Sequence, residues 1–151
     1  MKSALIALAM ALPVTAWAQD TVLTVTGPQG STEYDMPALE ALGQASFTTS
    51  TIWTEGPHLF TGVPLATLLR EAGIEEGLVT ATAVNDYAVE IPVEGLTEDY
   101  PLVAYRMDDR QMSLRDKGPL WVVYPYDSAP DLQSEVIYSR SIWQLDRLAA
   151  E

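Results

Sequence analysis

The segment DKGPLWVVYPYD, Asp116 to Asp127, is apolar on both faces of a strand. With a period of two, Leu120, Val122, Tyr124 and Tyr126 share one face, and Trp121, Val123 and Pro125 share the other. Such a strand needs cover on both sides. It is either a central strand of a layered core or a strand whose end forms the floor of a ligand pocket. Whatever fold surrounds it must be held by packing alone, because the chain contains no cysteine. The same absence removes disulfides, thiolate metal ligands and cysteine nucleophiles. A hydrophobic content of 48% can support the required core.

The first residues, MKSALIALAMALPVTAWAQD, combine one lysine, an apolar run from Ala4 to Val14 and small residues at Ala16 and Ala18. That pattern predicts a signal peptide over residues 1–18, cleaved after Ala18, and a mature chain starting at Gln19. The apolar run is shorter than the roughly 20 residues needed to span a bilayer. An exported protein of the bacterial periplasm is expected, with residues 19–151 forming one domain. The formal net charge of −13 argues against nucleic acid and against anionic lipid surfaces as partners, and no direct membrane insertion is expected. Arg106, Arg110, Arg115 and Lys117 cluster in one short stretch, which reads either as a place for an anionic or polar ligand or as a turn with solvated cations.

Strand patterns predominate. Strands are predicted over 21–26, 45–53, 79–84, 88–91, 101–107, 119–126 and 138–148, with turns around Gly30 and at Thr54–Pro57. Short helices are predicted after Asp35, an N-cap ahead of Met36–Leu42, and over LATLLREAG, where Leu65, Leu68, Leu69 and Ala72 recur at helical spacing and Gly73 ends the element. A loop or helical turn is expected over 128–135. The order is not a regular β-α-β alternation, so the class is α+β with a mixed β-sheet core.

No catalytic constellation stands out among the residues. The single histidine, His58, lies in an irregular Gly-Pro-His stretch with no nucleophile elbow nearby, and reads as a loop or pocket-rim hydrogen bonder rather than a base. Asn85-Asp86-Tyr87 joins two apolar strands without the glycine that a two-residue turn favours. It is either an ordinary turn or a carboxylate and an aromatic surface presented to a ligand. Trp53, Trp121 and Trp143 have the same two readings, core or ligand platform.

Taken in order, FTGVPLATLLREAG, VTATAVNDYAVEIP, YPLVAY with its basic turn, RDKGPLWVVYP and SRSIWQLDRL resemble the molybdopterin-binding domain of the sulfite oxidase family. The resemblance implies that fold, with a mixed sheet and a few short helices. It also implies a metal-binding cysteine in the region of Thr48–Gly56, where this chain has none, and an arginine where this chain has Trp121. Hydroxyl oxygens replace a soft thiolate poorly on molybdenum, so no metal and no catalysis are expected. A small, exported, cysteine-free version is similar to the PruR-like periplasmic pterin-binding regulators. That likeness implies a free, reduced pterin as ligand. It also implies a partner in the periplasmic region of a membrane-bound cyclic-di-GMP diguanylate cyclase/phosphodiesterase. On this reading Asp86 receives the amino edge of the pterin, Asn85 orients the turn, and Trp53, Tyr87 and Trp121 stack on its faces. Lys117 and Arg140 donate to its carbonyl or tail. A divergent molybdopterin-dependent oxidoreductase, or its accessory subunit, is the alternative.

Overall fold

The computed structural model describes residues 20–151; the expected signal peptide and its cleavage point lie outside the described residues. Ten strands form two sheets. In the first, β1 (Leu23–Gly27) pairs antiparallel with β2 (Gly30–Tyr34) and parallel with β10 (Leu145–Ala150), which continues into β5 (Leu78–Ala83) and β6 (Ala88–Pro92), both antiparallel. In the second, β3 (Ala45–Ser50), β4 (Pro57–Pro64) and β7 (Leu102–Met107) form an antiparallel run. The far edge of β7 is shared by the short strands β8 (Arg110–Gln111) and β9 (Trp121–Val123). Three short helices, α1 (Met36–Ala41), α2 (Leu65–Glu71) and α3 (Glu135–Arg140), complete the α+β architecture that the sequence predicts. Among the described residues no helix is long and apolar enough to cross a membrane.

The pattern of burial follows the sequence closely. In β5, buried Val79, Ala81 and Ala83 alternate with half-exposed Thr80 and Thr82, so one face is core. β7 lies inside its sheet and is buried on both faces from Leu102 to Tyr105. Leu120 to Tyr124 is likewise buried throughout, as a two-faced apolar strand requires. Each such Leu or Val side chain stabilises the fold by about 1.5–3 kcal/mol. Asp35 caps α1, its Oδ1 accepting from the Ala38 amide at 2.8 Å, and Leu39 is the buried residue of that helix. α2 buries Leu65, Leu68 and Leu69 and ends at Gly73, whose φ of +73° lets the Ile74 amide return to the Leu69 carbonyl at 2.8 Å.

The expected boundaries shift in several places, and the strand predicted over 45–53 ends at Ser50, leaving Trp53 in a loop. The strand predicted over 119–126 is ordered as β9 for three residues only, because Pro119 and Pro125 carry no amide and a helical turn begins at Tyr126. The strand predicted over 138–148 is α3, an irregular segment and then β10. Ser134 accepts from the Ile137 amide as the N-cap of α3, and Gln144 adopts a left-handed φ of 53°. β2, and β4 as far back as Pro57, were not predicted as strands. β2 exposes every residue except Tyr34, so it carries no apolar alternation.

The irregular segment joins the two sheets. The Ile142 carbonyl accepts from Val122 at 2.8 Å, and Gln144 donates to the Lys117 carbonyl at 3.0 Å. Leu145 donates to the Leu120 carbonyl at 2.9 Å before the chain enters β10 of the other sheet, and Val84, past the end of β5, donates to the Gln144 carbonyl at 2.9 Å.

Candidate functional site

A cleft of about 350 Å³ opens beside this seam, within the range of small-molecule sites. Three pieces of chain line it. The loop between β3 and β4 contributes Trp53, the end of β5 and its turn contribute Ala83, Asn85 and Tyr87, and the stretch from α3 to β10 contributes Tyr138, Ser139, Ser141, Ile142, Trp143 and Gln144. None of these side chains is charged.

Trp53 organises the aromatic side of the cleft. Its ring meets those of Trp121, Tyr126, Tyr138 and Trp143 edge-on, with centroids 6.0, 6.2, 5.7 and 5.5 Å away. Such contacts contribute about 0.5–1.5 kcal/mol each beyond area burial. Its loop is tied down locally: the Trp53 amide donates to Thr51 Oγ1 at 3.1 Å, and the Thr51 and Thr54 hydroxyls share a 2.7 Å hydrogen bond. Trp143 and Tyr87 remain partly exposed. Surface is therefore available at the mouth, while the rings behind it are locked.

The serine hydroxyls of the cleft, and the Tyr126 phenol behind it, are used internally. Tyr126 Oη donates to Ser141 Oγ at 2.6 Å, and Ser141 Oγ donates to the Ile137 carbonyl at 2.9 Å. Burial pushes the Tyr126 phenol up to about 12, so it stays a neutral donor. Ser139 donates to the Val136 carbonyl at 2.7 Å.

Of the residues expected at a ligand site, Trp53, Asn85 and Tyr87 line the cleft together. Asp86 does not line it. At φ 68° the backbone turns its carboxylate outward to pair with Arg147, with the Asp86 side chain 80% exposed. Trp121 is fully buried, its Nε1 donating to the Ser141 carbonyl at 3.2 Å, and together with Lys117 it borders a separate hollow instead of this cleft. Lys117 sits near the rings of Trp121 and Trp143, at 5.8 and 5.3 Å from their centroids. Arg140 lies in a separate shallow hollow with Thr80 and Glu90. Tyr138 and Gln144 were not singled out from the sequence. Both lie in the stretch predicted as one long strand, which the structure divides into α3, an irregular segment and β10.

A second, wider hollow of about 530 Å³ has charged walls: Arg110, Lys117, Asp108 and Asp116, with Thr54 and Gln111. At its margin His58 Nδ1 donates to Asp108 Oδ2 at 2.6 Å and Nε2 to the Glu55 carbonyl at 2.8 Å. Both partners are acceptors, so the geometry suits the doubly protonated ring. The hydrogen bond to Asp108 raises the His58 pKa above its ordinary value. The same bond, with one from the Leu59 amide, lowers that of Asp108.

The family model described as oxidoreductase molybdopterin binding domain matches residues 12–129. No curated protein matches the chain. A molybdopterin cofactor has a flat pterin half and a metal half. The aromatic cleft is compatible in shape and chemistry with a flat heterocycle. The donor set does not fit the metal: the chain has no cysteine, and the Thr51 and Thr54 hydroxyls, hard donors already paired with each other, lie where the thiolate is expected. Among the described residues no group of histidine, aspartate and glutamate side chains gathers as a metal site either.

Proposed function

The chain belongs to the oxidoreductase molybdopterin-binding domain family, and from that premise we propose that it is a non-catalytic periplasmic receptor for a free pterin. Occupancy of the cleft is reported to the periplasmic region of a membrane-bound cyclic-di-GMP diguanylate cyclase/phosphodiesterase. The observation that carries this reading is the uncharged aromatic cleft bounded by Trp53, Tyr87 and Trp143 in a chain with no thiolate. Flat π-faces suit aromatic side walls, and a heterocycle's polar edge suits the amides at the mouth. Signalling requires that the ligand favour one of two states of the protein over the other.

The test is chemical analysis of protein produced with its leader in a bacterial periplasm. The expected result is a fluorescent pterin released on denaturation, in near-stoichiometric amount, with no molybdenum. Stoichiometric molybdenum would instead support a divergent oxidoreductase that holds the cofactor without a cysteine.

A further inference from the structure

Gln144 is held unusually firmly for an uncharged cleft residue. Its backbone is in the left-handed region at φ 53°, a conformation that a non-glycine residue adopts only when its surroundings impose it. Its amide donates to the Lys117 carbonyl at 3.0 Å, its carbonyl accepts from Val84 at 2.9 Å, and its Nε2 donates to the Leu114 carbonyl at 2.6 Å. Three of its four polar atoms are thus engaged. The side-chain oxygen, Oε1, is left as an acceptor.

Asn85 is fixed in the opposite sense. Its Oδ1 accepts from the Tyr87 amide at 3.2 Å inside the turn, which leaves its Nδ2 group as a donor. Both residues line the cleft, which thus has one amide oxygen and one amide NH2 group left over by these bonds and no carboxylate among its lining residues.

We propose that Asn85 and Gln144 determine specificity by reading a neutral lactam edge, the adjacent ring N–H and carbonyl of a pterin-like heterocycle. The ring carbonyl accepts from Asn85 Nδ2, and the neighbouring ring N–H donates to Gln144 Oε1. This inference rests on the reading of the cleft as a pterin site and goes further, because it assigns recognition to two amides instead of the Asp86 carboxylate. A carboxylate reader favours a cationic, amino-substituted ring, since its two oxygens both accept and its charge attracts a proton on the ring. An amide pair favours the uncharged lactam and disfavours an amino group in place of the carbonyl, which would set a donor against the Asn85 donor.

The experiment compares a dihydropterin with its diamino analogue, in which an amino group replaces the ring carbonyl, on the full mature protein and on Asn85→Asp. That variant keeps an oxygen to receive the Tyr87 amide and replaces the neutral donor with a negatively charged acceptor. Its unfolding midpoint and near-ultraviolet circular dichroism check that the turn is retained. The wild type is expected to bind the dihydropterin at least about tenfold more tightly than the diamino analogue, a penalty typical of facing donors left unpaired. Asn85→Asp is expected to reverse that preference. Equal binding of the two compounds by the wild type, or an unchanged preference in Asn85→Asp, overturns the assignment while leaving the pterin reading intact. Failure of the wild type to bind either compound overturns both together.

Discussion

The two hollows that flank the tryptophan cluster are built from opposite materials. The smaller one has aromatic walls, two oriented amides and no charged lining residue; the larger is walled by two cations and two carboxylates. In a chain of net charge −13, the neutral cleft is the exception. Charged groups in the wider hollow are answered locally, Asp108 by His58 and Asp116 by the Ser113 hydroxyl at 3.0 Å. If the neutral cleft is the ligand site, as proposed, discrimination resides where the polar groups are few and neutral, and the charged side contributes a pH-dependent tether. Lys117 belongs to both regions, lining the charged hollow while its ammonium lies near the Trp143 ring of the neutral one.

The largest expected effect removes the partition itself. Trp121→Ala deletes a fully buried indole and its hydrogen bond to Ser141, and should cost about 3–5 kcal/mol in denaturant unfolding. Both hollows then lose definition, so loss of ligand binding would accompany loss of stability. Trp143→Ala separates the two properties. That ring is 37% exposed, so the change should weaken pterin binding by about 1–3 kcal/mol, the usual worth of an aromatic platform, while shifting the unfolding midpoint much less than Trp121→Ala. If Trp143→Ala destabilises as much as Trp121→Ala, the distinction between wall and core is wrong.

The charged side is addressed by pH. The His58 pKa is raised in the folded state by its hydrogen bond to Asp108, so its contribution to stability is complete below the ordinary value of 6.5 and lost as pH rises through the raised value. Asp108 is lowered, so its contribution is present above the ordinary carboxylate value and lost only as pH falls through the lowered one. The tether is therefore intact between the two folded values. Unfolding midpoints measured from about pH 6 to about pH 9 should show a modest decline on the alkaline side that is absent in His58→Gln. The affinity of the neutral cleft for a pterin that does not itself titrate in this range should change little.

Smallest of all should be Asp86→Ala. Its carboxylate faces Arg147 at the surface, where ion pairs contribute about 0–1 kcal/mol, and binding measured by titration should be nearly unchanged. A loss of tenfold or more would return the carboxylate to the site and blur the line between the two regions.

Much of the fold was legible because it rests on periodicity and caps. The alternation in Val79–Ala83, the leucines of α2, the Asp35 cap and the two-faced strand around Trp121 each state their environment in the residues themselves. Of the elements missed, β4 hides its strand behind Gly62 and a proline at each end, and others have only a non-local signal. β2 is a polar edge held by its pairing with β1, and Gln144 reaches its left-handed backbone through bonds to Lys117, Val84 and Leu114 that no local pattern announces. The site was half legible for the same reason. Trp53, Asn85 and Tyr87 stood out by type and position, and Trp143 stood out by type. Which aromatic is wall and which is core depends on the segment from Tyr138 to Gln144, beyond the 12–129 span of the family match. Asp86 and Asn85 are adjacent, and only the backbone turn decides which of them faces the cleft.

On the proposed function, the neutral aromatic cleft binds a free pterin without a metal. Titration of the metal-free mature protein with a dihydropterin, followed by tryptophan fluorescence, tests it most directly. Saturable one-to-one binding at micromolar concentrations is expected, with quenching that is largely lost in Trp143→Ala. Absence of saturation in the wild type, or binding that appears only when molybdenum is supplied, would contradict it.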